Sequence, residues 1–292
     1  MYPPINPRVD FAFKKIFGSA ENKDLLIALL NAILELRAPI TAVTLKNPYS
    51  LAAYRTGKMS ILDINACDAS GRWFYVEMQI NEDRSFDKRA IYYWAKTVTE
   101  QLSEGAMYRT LQKTYCISIL DFDLIPNRTE FHNCYKILNR ATGQDGDIHD
   151  LVELHYLELG KFNKDYADLT TALDRWVTFF TGAQQLDRQL SPQTLAIDPN
   201  ISKALAVTER LFNPDERATY EVRLQEMLNN KNAIATARAE GLTEGLDKGR
   251  TEGEQSALRK VARNLLKLLP PEEVAKQTGL TLAEVMVLSP RD

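Results

Sequence analysis

The stretch that constrains the fold most is residues 61–80, ILDINACDASGRWFYVEMQI, in which two β-rich runs flank the turn residues DASG. If the two runs pair about Ser70, Asp63 lies opposite Glu77, because each is seven residues from Ser70. Side chains alternate between the faces of a strand, so this register separates an apolar face from a polar one. The apolar face would contain Leu62, Ile64, Ala66, Phe74, Val76, Met78 and Ile80, and the polar face Asp63, Asn65, Glu77 and Gln79.

Two carboxylates that face each other across a strand pair need something to neutralise them. Like charges directly opposite are destabilising, and a buried charge is costly unless it is paired or binds a metal. A divalent cation such as Mg²⁺ resolves the conflict, since it takes oxygen ligands and is commonly held by one or two carboxylates. An antiparallel strand with one face in water gives the same alternation. On spacing alone, a metal site and a solvated sheet face both remain open for Asp63 and Glu77.

The rest of the chain mixes helical and strand periodicities up to about residue 160 and is mainly helical beyond it. Residues 10–36 are helical with an interruption near Gly18, and Ser19 or Asn22 could cap the second part. Further strands are predicted at 40–45, 114–122, 131–138 and 151–159, and further helices at 85–105, 168–180, 198–212 and 215–239. We therefore expect an α/β domain followed by helices.

Composition excludes several classes of protein. The formal net charge of -3 gives no global attraction for nucleic acid, so DNA would need a local basic patch. The three cysteines, Cys67, Cys116 and Cys134, have no paired spacing, which argues against a disulfide framework or a zinc site. The first residues lack an apolar signal core, and no run of eighteen apolar residues occurs. We expect a soluble, cytoplasmic protein without a membrane partner.

The C-terminal part has its own pattern. Glycine recurs every fourth residue at positions 241, 245, 249 and 253, which is typical of either a solvated, flexible linker or a helix that another helix can approach closely. Residues 257–269 are amphipathic without an evident internal partner, so we expect homo-oligomerisation through the C-terminal helices. We divide the chain into a domain at 1–232, a glycine-striped helix or linker at 233–256 and a small helical tail at 257–292.

The tail ends in two short predicted helices that could form a helix-turn-helix. Two prolines start the first helix, Gly279 ends it, and TLAE (281–284) is a capping box that opens the second. A DNA-binding helix-turn-helix places its second helix in the major groove. Here that helix reads LAEVMVL, with an acid and no Lys or Arg, so helical packing is favoured over DNA recognition.

Several segments together resemble one known family. They are DFAFKKIFG and LLNAIL near the start, ILDI and VEMQ in the hairpin, RAIYYWAKTVTEQLSEGAMY after it, LELGKF and DRWVTFF further on, and EGLTEGLDKGRTEG with VAKQTGLTLAEV in the tail. This order resembles the PD-(D/E)xK nuclease superfamily, and within it the bacterial recombination-promoting nuclease or PD-(D/E)xK family transposase group. The resemblance implies an α/β restriction-endonuclease-like core, with a mixed sheet flanked by helices, followed by C-terminal helices.

The resemblance also implies a metal-dependent DNA endonuclease, acting in recombination or mobile-element biology. Asp63 and Glu77 would hold Mg²⁺ or another divalent cation, with the backbone carbonyl of Met78 as a third ligand. Gln79 stands where the superfamily has lysine, and it would orient the attacking water without neutralising charge. Lys14 or Lys96 could supply the missing positive charge. The alternative is a non-catalytic DNA-binding or scaffolding protein that retains the fold.

Other candidate residues have two interpretations each. Asp10 would add a catalytic carboxylate from the first helix, or it is a helix N-terminal residue or the partner of Lys14. Arg89, Tyr92 and Tyr93 either face phosphate or belong to the core, and Lys88, Arg89 and Lys96 form a candidate DNA-binding surface. The loop DGDIHD (145–150) is interpreted as polar, and His132 and His155 as structural.

Overall fold

A mixed β-sheet forms the centre of the N-terminal part of the chain. The computed structural model describes residues 5–49, 63–83, 85–144, 150–183, 193–210 and 212–288. Within these residues six strands lie in the order β1-β2-β3-β4-β6-β5. They are β1 Val43–Leu45, β2 Ile64–Asp68, β3 Trp73–Gln79, β4 Thr114–Leu120, β5 His132–Lys136 and β6 Val152–Glu158. The pairs β3/β4 and β4/β6 are parallel and the other three are antiparallel.

Helices cover both faces of the sheet and make up the C-terminal part. They are α1 Asp10–Phe17, α2 Lys23–Leu34, α3 Phe86–Thr99, α4 Ala172–Gly182, α5 Gln193–Ala196, α6 Pro199–Arg210, α7 Pro214–Leu265, α8 Pro271–Thr278 and α9 Leu282–Leu288. The described helices include none that is long and apolar enough to cross a membrane.

The register predicted for the β2–β3 hairpin is confirmed. Ile64 pairs with Val76 and Cys67 with Trp73, which puts Asp63, the residue before β2, in line with Glu77. The turn is held by Asp68, whose Oδ1 accepts hydrogen bonds from the backbone N–H groups of residues 70 and 72. Gly71 has φ +87, a left-handed conformation that residues with a Cβ adopt only with strain. Leu62, assigned to the apolar face, lies outside the described residues.

Both faces of this hairpin are buried, so the solvated-face alternative is wrong for the carboxylates. The apolar face packs into the main core with α1, α2 and α4. The other face is covered by α3, whose Phe86 and Ala90 pack against Tyr75 and Cys116. Asp63 is 4% exposed and Glu77 8% exposed. The alternation of the sequence thus marks two buried faces of different polarity.

Several predicted element ends differ from the structure. Helix α3 ends at Thr99 rather than at Gly105, which has φ +80 in the turn that follows. Neither Ser19 nor Asn22 makes a side-chain cap at its helix start; the Ser19 hydroxyl instead donates to the Lys15 carbonyl. Helix α4 starts later than predicted because Thr171 and Asp174 form a capping box there. The remaining strands are confirmed to within two residues at each end, except that the first begins at Val43.

Contacts divide the chain into two compact units, Met1–Leu228 and Asn229–Asp292. The glycine-striped segment is helical throughout, as part of α7. A Cβ added at Gly241, Gly245, Gly249 or Gly253 would meet no atom of the described residues within 4 Å. The stripe therefore lies on the solvent-exposed surface of a helix.

The last residues form a small helical cluster of their own. Ala262 of α7 is buried against Val274 of α8 and Val285 of α9, so the premise that residues 257–269 lack an internal partner is wrong. The end signals are as predicted. Pro271 lies in the first turn of α8 and Gly279 ends it at φ +74. Thr281 and Glu284 exchange capping-box hydrogen bonds.

We predict that residues 233–292 promote self-association, because exposed leucines flank the glycine stripe. Leu242 and Leu246 are each about two-thirds exposed and lie one turn apart, next to glycines that permit close helix approach. Truncation after residue 232 should leave a folded, more monomeric protein, measured in light scattering as fewer chains per particle. The full-length Leu242→Lys/Leu246→Lys variant should also have fewer chains per particle than the parent. An unchanged number of chains per particle in both proteins would contradict this prediction.

Candidate active site

Asp63 and Glu77 meet at the end of the β2–β3 hairpin, beneath α3. The Tyr75 side chain lies beside Glu77, because Tyr75 is two residues before Glu77 and shares its face of β3. Its hydroxyl donates to Glu77 Oε2 at 3.1 Å, and its interaction with Asp63 lowers the pKa of that carboxyl. One hydroxyl has one proton, so it can satisfy only one of the two carboxylates at a time. Among the described residues, Glu77 has a donor at each oxygen whereas Asp63 Oδ1 has none.

Burial sets the electrostatics of this pair. It raises the pKa of Asp63 and of Glu77 above their usual values, and the charge of Asp63 raises the pKa of Glu77 further. Positive groups oppose the effect: Arg89 lowers the pKa of Glu77, and Lys14 and Lys96 lower that of Asp63. The ionised pair is thus held in a site where further positive charge would stabilise it.

Lys14 is the buried cation of the site. It is 1% exposed, and its Nζ donates to the backbone carbonyl of Asp63 at 2.5 Å. Burial lowers the pKa of Lys14 to about 8, against the attraction of the Asp63 charge. Asn47 donates to the same carbonyl at 3.2 Å and accepts from the Asn65 N–H, so it fixes the start of β2. Two side chains from earlier in the chain therefore hold the backbone at Asp63.

Arg89 lies directly on the carboxylate of Glu77. Its Nη2 donates to Glu77 Oε1 at 2.6 Å and to Gln79 Oε1 at 3.2 Å, while Nη1 bonds Asp83 Oδ2. Helix α3 places it there one turn before Tyr93, whose ring stacks on Tyr75 at 5.3 Å. Arg89 is thus a site residue and Tyr93 a core residue, whereas Tyr92 is 64% exposed on the outer side of α3.

The Gln79 side chain lies at the same end of β3. Its Nε2 donates to the Asn81 carbonyl, so the amide is held between that carbonyl and Arg89. The backbone carbonyl of Gln79 accepts from Asp121 N–H on the β4 side. Because successive carbonyls alternate along a strand, that of Met78 points to the β2 side, where Asp63 lies. The Met78 side chain is buried in the main core.

Asp10 makes its described contacts at the start of α1 and with α7. Its Oδ1 accepts from the Phe11 N–H of its own helix start at 2.6 Å, and its carboxylate interacts with the charges of Arg223 and Glu226 on α7. None of these contacts reaches Asp63 or Glu77. They favour the helix N-terminal interpretation, and the predicted Asp10–Lys14 pair is replaced by the bond from Lys14 to Asp63.

The sequence model described as "PD-(D/E)XK nuclease family transposase" matches residues 7–237. The chain belongs to this family. No curated protein and no solved structure matches the chain. The mixed sheet with flanking helices and following C-terminal helices is the architecture that the resemblance to PD-(D/E)xK nucleases implied.

A divalent cation, as PD-(D/E)XK nucleases generally use, fits the residues present. Asp63 Oδ1 is a buried oxygen without a hydrogen-bond partner among the described residues. Such an oxygen is costly unless a cation or a donor reaches it. Asp63, Glu77 and the Met78 carbonyl offer only oxygen, the ligand type that Mg²⁺ prefers. These oxygen ligands therefore suit a hard divalent cation. In this structure Arg89 donates a hydrogen bond to Glu77.

Sequence reasoning missed Tyr75 and Asn47. A signal for Tyr75 was present, since the predicted register puts it on the polar face beside Glu77. The sequence contains no such signal for Asn47, because its contact with Asp63 depends on how the segment after β1 runs past the start of β2.

Proposed function

We propose that this family member is a divalent-metal-dependent endonuclease that hydrolyses DNA phosphodiester bonds, in recombination or mobile-element biology. The observation that carries the proposal is the buried Asp63–Glu77 pair, in which one Asp63 oxygen has no hydrogen-bond partner among the described residues. A purely structural role would favour a pair in which every oxygen has a donor. DNA as substrate follows from the family.

The residues around the carboxylate pair would have separate roles in hydrolysis. Asp63 and Glu77, with the Met78 carbonyl, would hold a divalent cation. The cation would activate water and stabilise the negative charge that develops on the phosphate in the transition state. Tyr75 orients Glu77 through its hydroxyl and also interacts with Asp63. Lys14 keeps the backbone of Asp63 in place and adds positive charge behind the carboxylate. Lys96 adds charge from the α3 side.

Gln79 occupies the position of the superfamily lysine and can perform one of that lysine's two roles, which is to orient the attacking water. Its amide, held at its two ends by Asn81 and Arg89, can hydrogen-bond the attacking water and so orient it. A neutral amide cannot neutralise charge, so that task is left to Lys14, Lys96 and Arg89.

The deciding experiment is incubation of the purified full chain with supercoiled plasmid, with Mg²⁺, with Mn²⁺ and with a chelator. We expect nicking or linearisation with metal and none with chelator. Binding of DNA without cutting under any metal condition would instead support the non-catalytic DNA-binding or scaffolding alternative. The intact carboxylate pair separates the two hypotheses, because a binder does not need it.

Gln79→Ala should separate metal binding from chemistry. Both carboxylates remain, so stabilisation by Mg²⁺ should survive in thermal melts. Cleavage should fall about 100-fold, because a water misplaced by about 1 Å reacts that much more slowly. A suitable control is Gln101→Ala, which removes an amide that bonds Thr114 and the backbone of residue 112. Equal cleavage by the Gln79 variant and the parent would remove Gln79 from the mechanism.

DNA binding should depend on exposed positive charge next to the site. Arg89 is engaged with Glu77 and Lys96 is half-buried, so Lys88 is the exposed member of the predicted basic surface. Lys88→Glu should weaken binding at low salt and make the slope of log affinity against log salt less steep by about one. Lys276→Glu in the second unit makes the same charge change on another exposed lysine. Equal losses in both variants would show a general charge effect only.

A further inference from the structure

A second group of ligand-type side chains lies on the β5–β6 strand pair. Cys134 on β5 is directly opposite His155 on β6, and Glu153 is two residues before His155 on the same face. Cys134 Sγ is 3.8 Å from His155 Nε2, and Glu153 Oε1 is 3.0 Å from the same nitrogen. All three ligand atoms lie within 4.8 Å of one another. A sulfur, a nitrogen and an oxygen thus converge on one point.

The spacing of these atoms suits a tetrahedral metal. Zinc bonds of roughly 2.0 to 2.3 Å to O, N and S place ligand atoms about 3.3–3.6 Å apart at tetrahedral angles. The separations of 3.0 and 3.8 Å bracket that range. The ladder between β5 and β6 fixes the backbone of all three residues, so small side-chain rotations suffice to close the site.

A neighbouring histidine orients the imidazole. His132 Nε2 lies 3.0 Å from His155 Nδ1, and the two rings stack at 5.2 Å. Histidines that bind metal almost always donate the proton of their other ring nitrogen to an acceptor, which fixes the tautomer. When His155 Nδ1–H donates to His132, the lone pair of Nε2 points at the thiol and the carboxylate. His132 then acts as a positioning residue.

The two lysines near Glu153 contact Oε2 and leave Oε1 available to bind a metal. Lys113 Nζ bonds Oε2 at 2.8 Å, and Lys136 lies 3.5 Å from the same oxygen. Oε1 faces His155 instead. Glu153 and His155 are buried while Cys134 is exposed, so the cluster has two fixed ligands and an open side through which a cation can arrive.

We propose that Cys134, Glu153 and His155 bind a zinc-class transition metal, at a site separate from the Asp63–Glu77 pair. Thiolate and imidazole ligands select zinc and cobalt over magnesium, which prefers oxygen. Three protein ligands leave a fourth position for water. The metal would tie β5 to β6 at the edge of the sheet. This inference does not depend on the nuclease proposal, and it replaces the purely structural interpretation of His132 and His155.

The test is a titration of the metal-stripped full chain with Co²⁺, in excess Mg²⁺ to occupy oxygen-only sites. We expect a thiolate-to-cobalt absorption band in the parent, displaced by Zn²⁺ at one equivalent, and an increase in melting temperature with Zn²⁺. Cys134→Ser should lose the band and the increase, whereas Cys67→Ser, the matched cysteine control, and Asp63→Asn should keep both. His132→Ala should weaken zinc affinity about 10- to 100-fold.

Glu153→Gln provides a second variant if Cys134→Ser folds poorly by circular dichroism. It keeps the thiol and the imidazole but removes the anionic oxygen, so zinc affinity should fall. A parent protein that shows no thiolate–cobalt band overturns the proposal. So does a band that persists at full strength in Cys134→Ser, because the metal would then lie elsewhere.

Discussion

Asp63→Asn is expected to abolish Mg²⁺-dependent DNA cleavage while leaving the metal-free protein about as stable as the parent. The buried carboxylate repels Glu77, and relief of such repulsion is worth up to about 1 kcal/mol. Removal of the charge also takes its attraction away from the buried Lys14, so the two effects offset each other and the metal-free fold loses little stability. The same change removes an anionic metal ligand, and the loss of several kcal/mol of transition-state stabilisation corresponds to at least about a 100-fold fall in rate.

Two measurements on the same samples test this prediction: plasmid nicking, and melting temperature with and without Mg²⁺. Both the cleavage and the Mg²⁺-dependent increase in melting temperature should disappear in Asp63→Asn. A structural pair would give the opposite pattern, with a large loss of stability and no linked loss of activity. If Asp63→Asn cuts DNA as well as the parent, the nuclease site is not at this hairpin.

Arg89→Ala is expected to destabilise the metal-free protein and to make Mg²⁺ a stronger stabiliser than it is in the parent. The substitution leaves Glu77 buried without its cation, which costs about 1–2 kcal/mol. This is below the cost for a fully buried pair, because the Arg89 side chain is 34% exposed. A divalent cation at Asp63 and Glu77 would replace the lost charge, and without the competing guanidinium its apparent affinity should rise.

The matched control for this prediction is Arg72→Ala. Arg72 pairs with the buried Asp68 at 2.7 Å in the hairpin turn, so its loss also breaks an arginine–carboxylate pair. Both variants should lose stability without metal, and only Arg89→Ala should regain it as Mg²⁺ is added. A Mg²⁺-dependent increase in melting temperature no larger in Arg89→Ala than in the parent would show that Arg89 does not compete with the metal.

The amino-acid sequence determined the local features of this protein. The DASG turn and the period-two alternation fix the hairpin register, because turn geometry and side-chain alternation depend only on neighbouring residues. The end signals at Pro271, Gly279 and Thr281 are equally local and are also as predicted. The order of strands and helices, and the family, follow from such patterns along the chain.

The tertiary structure decided which predicted surfaces are buried and which charges meet. Alternation cannot show that α3 covers the polar face of the hairpin, nor that α7 continues through four glycines. Lys14 reaches Asp63 across 49 residues of sequence. The Cys134–His155 pairing arises only when β5 pairs with β6. Burial, desolvation and long-range pairing depend on distances that sequence spacing does not contain. The same carboxylates that a sequence pattern leaves open as a solvated face are therefore a buried pair in the folded chain.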